Sequence, residues 1–291
     1  MKNIILVLII FLTGISTQKS IAEKTTPFAV NPLISFRSEF QFHPGDTLKF
    51  NGAYLKSYLG SMKYIMTFPG RWKAKNWLTA GLILGTTAAI YTIDQPVKDF
   101  VQANPLKAAD YLFSGAELFG NPAFTFPFLA VNYAYGAIFN NQRDIDVSLM
   151  GLQSLLISAG FTYILKMGTQ RHRPKTGDPY NTWDGPAFSL DYTSFPSGHS
   201  SSAWAIMTTI ALEFNDYRAV GALAYTLATL TALSRVYENY HWSSDIFLGS
   251  AIGYFTARAV YHYHHSEFKK KVSLIPTAGK NFNGLSMTYI F

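Results

Sequence analysis

No cysteine occurs in the chain of 291 residues, so disulfides, thiol nucleophiles and thiolate-bound zinc or iron–sulfur centres are excluded. Acidic residues are scarce: 17 Asp and Glu against 24 Lys and Arg give a formal net charge of +7. That balance suits an anionic substrate or an anionic membrane surface. Nucleic acid is the poorer match, because the chain carries neither a basic helix nor an array of basic and aromatic residues. The last apolar stretch is short. The stretch 246–257 ends at Arg258, well short of the roughly 20 residues that a spanning helix needs. A mean hydropathy of +0.09 is low for a chain held mostly in lipid. No internal repeat or low-complexity run occurs.

What is present is apolar and aromatic. Aromatic residues make up 16% of the chain, enough for a lipid-facing or interfacial surface. Residues 1–22 combine an early lysine, an apolar run at 4–12 and small residues up to Ala22, which reads as a secretory signal cleaved after Ala22. Periodicity predicts helices at 76–93, 122–139, 147–166, 199–214, 218–235 and 243–262, with an amphipathic piece near 97–119. The expected fold class is all-α: a bundle of about six core helices with the active site at one end and short extended segments at both termini. The extended segments rest on alternation of Ile34, Phe36, Phe40 and Phe42, and of Leu285, Met287, Tyr289 and Phe291. The two can pair with each other. Residues 175–195, rich in Gly, Pro, Asp and aromatics, form a long loop suited to a lid. His262, His264 and His265 read as a wet, interfacial helix end, with metal binding as the alternative.

Three polar clusters interrupt the apolar half of the chain, where ionisable groups are costly unless used. His241 and Asp245 are four residues apart, which helical spacing places on one face. A carboxylate that takes the Nδ1 proton leaves Nε2 to attack an electrophile. Upstream lie Lys166 with Arg173-Pro174, and Pro196-Ser197-Gly198-His199. Taken singly, these are a helix stop, a turn with a cap, and a helix-surface pair. Taken together they compose a site for metal-free phosphoryl transfer. Lys166, Arg173 and Arg235 supply donors to the phosphate oxygens, where transition-state charge gathers. Ser197 and Gly198 open a helix whose backbone N–H groups point at an anion. His241 attacks phosphorus, while His199 protonates the departing oxygen and later activates water. The catalytic set is His241, His199 and Asp245; the phosphate-binding set is Lys166, Arg173, Ser197, Gly198 and Arg235. No metal or other cofactor is required.

These residues resemble the type 2 phosphatidic acid phosphatase superfamily, which also contains vanadium haloperoxidases. Its pattern is a Lys, six residues, then Arg-Pro; then Pro-Ser-Gly-His; then Ser-Arg with a His six residues after the Arg and an Asp four further on. Lys166, Arg173, Pro174, Pro196, Ser197, Gly198, His199, Ser234, Arg235, His241 and Asp245 match every position, and the resemblance covers roughly residues 76–262. It implies the phosphohistidine mechanism built above and a bundle of about six helices. The division then reads 1–22 signal peptide, 23–70 N-terminal extension, 71–271 helical phosphatase domain and 272–291 tail. The resemblance implies an anionic lipid phosphate as substrate: phosphatidic acid, phosphatidylglycerol phosphate, an isoprenoid diphosphate or a lipid A phosphate. The alternatives are a broad periplasmic acid phosphatase, a haloperoxidase and a non-catalytic lipid-binding protein.

Location follows from two opposed signals. Arg71, Lys73 and Lys75, with Lys269, Lys270 and Lys271, suit a cytoplasmic side at both ends of the bundle. A cleaved signal instead delivers residue 23 to the outside, and three crossings before Lys166 then carry the site inward. The reading that reconciles them is an exported, membrane-associated bundle of the bacterial envelope, at the inner membrane with a periplasmic active site. A soluble periplasmic protein is the alternative, and the number of crossings stays open.

Overall fold

Helix α7 (Gly198–Glu213) is the axis of the molecule, because small and hydroxylated side chains let neighbours approach it from nearly every side. The computed structural model describes residues 47–189, 191–268, 272–279 and 282–289. Before α7 come α1 (Gly52–Thr67), α2 (Ala74–Tyr91), α3 (Asp94–Ala103), α4 (Lys107–Ala116), α5 (Pro122–Ile138) and α6 (Gln142–Thr169). After it come α8 (Arg218–Tyr237), α9 (Ser243–Phe268) and a hairpin of β1 (Val272–Gly279) and β2 (Phe282–Tyr289).

The six expected core helices appear as α2 and α5 to α9. The expected amphipathic piece is two helices, because Pro105 disfavours helix at Asn104, which leaves the α-region at φ −125° and ψ 60°. Asn121 starts α5 by accepting from the Ala123 N–H at 2.9 Å, with Pro122 as first helical residue. Helix α1, inside the segment read as an N-terminal extension, packs on the bundle: Tyr54 Oη donates to Leu149 O at 2.9 Å and Gln153 Nε2 donates to Ser61 Oγ at 2.7 Å.

The main core joins α5, α6, α7 and α8 through Phe124, Phe128, Val147, Ile206, Phe214 and Ala228. Helix α9 closes on α7 more tightly than any side chain permits. A Cβ on Gly249 would stand 2.4 Å from Ser197 O, and one on Gly253 2.2 Å from Ser201 O. Glycine at these two positions sets the spacing of the helices that carry the polar motifs.

β2 pairs antiparallel with β1, Val272 opposite Tyr289 and Gly279 opposite Phe282. Leu285, Met287 and Tyr289 thus lie on a strand, paired with β1; Phe291 and the expected partner residues Ile34, Phe36, Phe40 and Phe42, like the signal segment, lie outside the described residues. His264 is also not a wet helix end: it is buried and its Nε2 lies 2.7 Å from Gln153 Oε1. Helices α6 and α8 are long and apolar enough to cross a membrane, and α6 is mostly buried within the bundle. Large apolar side chains stand exposed on α1 and α2, among them Leu59, Trp77, Leu78 and Leu82.

Candidate active site

Helix ends of opposite polarity meet at one end of the bundle: the C-termini of α6 and α8 bring Lys166 and Arg235, and the N-termini of α7 and α9 bring His199 and Asp245. The loop between α6 and α7 adds Arg173. Asn239, at φ 59°, turns the chain after α8, and the Tyr240 and His241 N–H groups fold back to donate to Arg235 O at 3.0 and 3.1 Å. This turn aims His241 inward.

His241 and Asp245 meet, but not as two residues of one helix. Helix α9 starts at Ser243, so His241 precedes it. Asp245, in the first turn, reaches back to accept from the Trp242 N–H at 2.9 Å, which is the acidic half of a capping box. Its Oδ2 also accepts from Ser194 Oγ at 2.5 Å and its Oδ1 from Arg171 Nη1 at 2.6 Å. His241 Nδ1 stands 3.5 Å from Asp245 Oδ2 and has no hydrogen-bond partner, although the ring is buried.

The surrounding charges set the protonation states. Burial holds the His241 imidazole down at about 3; Asp245 opposes this, and Lys166 and Arg173 reinforce it. His241 is therefore neutral with a lone pair available. Burial pushes the Asp245 carboxyl up, but His241, Arg171 and Ser194 outweigh it and hold the group below the ordinary carboxylate range. His199 is lowered to about 4 by burial and then by Arg235, with Glu117 opposing and Arg173 and Lys166 adding to the effect. Those interactions bring both histidines and all three expected cations into one electrostatic cluster.

The cations are held in place by neutral or acidic neighbours. Lys166 Nζ donates to Thr193 O, and Arg173 Nη2 donates to Thr193 Oγ1 at 3.2 Å. Arg235 Nη2 is shared between Glu117 Oε2, at 2.7 Å, and Glu238 Oε2. Gly198 begins α7, in the turn whose N–H groups lack helical acceptors. Ser197 departs from the expected role. Its N–H donates to Asp245 O at 3.0 Å and its Oγ accepts from the Ser200 N–H at 3.4 Å. Ser197 is thus a strut between α7 and α9, and its backbone donor is already engaged.

The long loop is pinned at several points. Gln170 Nε2 donates to Ala187 O and Ser189 O, and Trp183 Nε1 donates to Tyr91 Oη at 3.1 Å. His172 stacks on Tyr192 and lies between Asp178 Oδ2, 2.7 Å from Nδ1, and Asp184 Oδ2, 3.1 Å from Nε2. Burial opposes the charged ring, but the two carboxylates outweigh it and raise the His172 pKa.

Arg171, Asp94, Ser194 and Glu117 are site residues that sequence reasoning missed. Arg171 had one local signal, a second guanidinium two residues before Arg173. Asp94 and Glu117 lie far from the motifs along the chain and had none.

Residues 149–269, which contain all the expected site residues, match the family model described as PAP2 superfamily. The chain is 41% identical over 61 residues to a lipid A 1-phosphatase of Porphyromonas gingivalis, covering 21% of this chain and 14% of that protein. It is 32% identical over 149 residues to a PA-phosphatase related-family protein of Dictyostelium discoideum, covering 46% of this chain and 55% of that one. The chain thus spans only part of the length of these relatives. The fold is shared with a transmembrane PAP2 type phosphatidylglycerolphosphate phosphatase from Bacillus subtilis: TM-score 0.52, 21% identity, 64% of this chain and 93% of the other. Residues 149–269 are thus similar to the PAP2 superfamily, and their motif residues gather at one end of a bundle of that fold.

Proposed function

We propose that the protein is a phosphatase acting on a lipid phosphate or diphosphate of the bacterial envelope through a phosphohistidine at His241. The observation that carries this reading is a buried, neutral His241 beside an ionised Asp245, within the electrostatic reach of Lys166, Arg173 and, through Arg173, Arg235. His241 Nε2 forms the bond to phosphorus while the ester P–O bond breaks, and His199 gives its proton to the leaving oxygen. Water then attacks phosphorus, His199 takes its proton, and the P–N bond breaks to release phosphate. His199 is neutral before substrate arrives, so the anionic phosphoryl group must raise its basicity for it to enter as an acid.

Support for a lipid comes from the exposed apolar faces of α1 and α2 and from the names of the relatives, one a lipid A 1-phosphatase. On this reading the site faces the periplasm from a bundle attached to the inner membrane, residues 71–271 form the catalytic domain, and cations of the chain replace a divalent metal. The test is turnover by purified protein in detergent, with chelator, across phosphatidic acid, phosphatidylglycerol phosphate, an isoprenoid diphosphate, a lipid A 1-phosphate and a soluble aryl phosphate. A lipid preferred over the soluble ester, unaffected by chelator, supports the proposal. Preference for the soluble ester favours a broad phosphatase, and dependence on added magnesium removes the assigned chemistry.

A further inference from the structure

Arg171 is fully buried between two carboxylates that lie far from it on either side in the sequence. Its Nη1 donates to Asp245 Oδ1 at 2.6 Å, and its Nη2 donates to Asp94 Oδ2 at 2.8 Å. Tyr91, Trp183 and Trp242 place their rings 4.9, 4.8 and 5.3 Å from its Cζ, and Nε and Nη2 donate to Tyr180 O. Asp94 Oδ1 accepts from the Ser244 N–H at 2.9 Å, and its Oδ2 from Ser244 Oγ at 2.5 Å. The start of α3 is thereby tied to the start of α9, one residue from Asp245.

A guanidinium bonded to Asp245 presents a difficulty for the reaction. A guanidinium is a cation, so an isolated Arg171–Asp245 ion pair is neutral overall and offers little to an imidazolium forming at His241. Asp94 changes that sum. Burial raises the Asp94 carboxyl, against the bonds from Ser244 and Arg171 that favour its charge; with both carboxylates ionised, the three groups carry a net charge of minus one, held in a site where Coulomb interactions are weakly screened.

We propose that Asp94 and Arg171 are positioning residues for the phosphoryl-transfer step, Arg171 fixing the rotation of Asp245 so that Oδ2 faces His241, and Asp94 restoring the negative charge that Arg171 would otherwise cancel. The proposal rests on His241 as nucleophile. It assigns a reaction role to a residue on α3, outside every motif that carries the family resemblance, and it predicts which perturbations compensate one another.

The test compares Asp94→Asn, Arg171→Lys and the double variant Asp94→Asn with Arg171→Gln, each checked for folding by circular dichroism. Asp94→Asn leaves Arg171 and Asp245 as a neutral pair; single-turnover phosphorylation is expected to fall roughly tenfold to a hundredfold, with KM within about twofold of the parent. The double variant leaves Asp245 alone, again at minus one, and is expected to recover at least about threefold over Asp94→Asn. Arg171→Lys keeps the charge sum and is expected to lose less than Asp94→Asn.

A merely structural role for Asp94 predicts the reverse: additive losses, with the double variant below either single change. That outcome overturns the proposal, as does a rise in KM with unchanged phosphorylation in Asp94→Asn. Carbethoxylation of His241 by diethyl pyrocarbonate, followed by mass spectrometry, reads imidazole nucleophilicity without any phosphate. Slower modification in Asp94→Asn, restored in the double variant, supports the charge relation even if no phosphoenzyme forms, in which case the proposed function alone fails. Equal modification rates in all variants overturn the charge relation whether or not phosphoenzyme forms.

Discussion

Ser194 Oγ donates to Asp245 Oδ2 at 2.5 Å, on the same carboxylate oxygen that faces His241 Nδ1 across 3.5 Å. Together with the Trp242 N–H and Arg171, it fills the carboxylate with donors before any substrate binds. Catalytic hydrogen bonds are often long in ligand-free proteins and tighten when charge develops. On the proposed reaction the His241–Asp245 contact is of that kind, while the other contacts of Asp245 hold the carboxylate in place.

Asp245→Asn is therefore expected to cost stability as well as rate. An amide turns one of its ends, a donor, toward existing donors and leaves Asp94 as the one carboxylate paired with Arg171. Breaking a buried charge pair typically costs about 3–5 kcal/mol. Thermal unfolding in detergent measures this. A melting temperature unchanged from the parent would show that Arg171 does not depend on Asp245.

The two histidines are expected to fail differently. His241→Ala should remove phosphoenzyme and lower turnover by at least about a thousandfold, the scale of losing a nucleophile. His199→Ala should keep phosphate binding and lose most activity on alkyl esters, while an aryl phosphate, whose leaving group needs less protonation, is hurt least. The comparison is kcat on both ester types. Equal loss on both would remove His199 from the role of acid.

Proton uptake tests the same residue without turnover. His199 is held at about 4, so it is unprotonated in the ligand-free protein at neutral pH. A phosphate group placed beside it raises its basicity, and binding at around pH 6, where Lys166, lowered to about 7 by burial, is already mostly charged, is expected to draw up to about one proton from solution. Calorimetry in buffers of different ionisation enthalpy counts that proton. Uptake that persists in His199→Gln would place it on another group.

The helical bundle and its polar end were legible because the motifs are local. Gly198 and His199 need only a helix start, and the His241 spacing needs only one turn after α8. The Asp94–Arg171–Asp245 chain was not legible, since Asp94 sits at the start of an amphipathic helix, where an acid is a routine helix-dipole partner. Ser197 was misread because a free N–H at a helix start looks the same in sequence whether an anion or Asp245 O accepts from it. His264 looked like part of a polar helix end because Gln153, its partner, is 111 positions away.

The loop that carries Arg173 is expected to loosen at alkaline pH. The folded His172 pKa is raised above its ordinary value by Asp178 and Asp184, against the pull of burial. The stabilisation is thus fully present below about 6.5, the unfolded value, and is lost as pH rises through the folded value. Hydrogen exchange in residues 172–185, corrected for intrinsic rates, should quicken across that interval and become insensitive to it in His172→Gln. An unchanged pH response in the variant would assign the effect to another group.

Gly249→Ala is the most direct test of how closely the two motif-bearing helices must pack. The added Cβ would stand 2.4 Å from Ser197 O and 3.2 Å from Ser197 N, both backbone atoms that cannot swing aside. Helix α9 must move away from the start of α7, lengthening the 3.0 Å bond from the Ser197 N–H to Asp245 O. Overpacking of this kind costs about 1–3 kcal/mol, and displacement of Asp245 relative to His199 should lower phosphorylation as well. Gly81→Ala on α2 is the control, because a Cβ there meets nothing within 4 Å and alanine favours helix over glycine by roughly 0.5–1 kcal/mol. The expected result is a lower melting temperature and slower phosphorylation for Gly249→Ala, with an equal or higher melting temperature and unchanged phosphorylation for Gly81→Ala. Parent-like behaviour of Gly249→Ala in both measurements would mean that α7 and α9 tolerate separation, and that the site does not depend on their close approach.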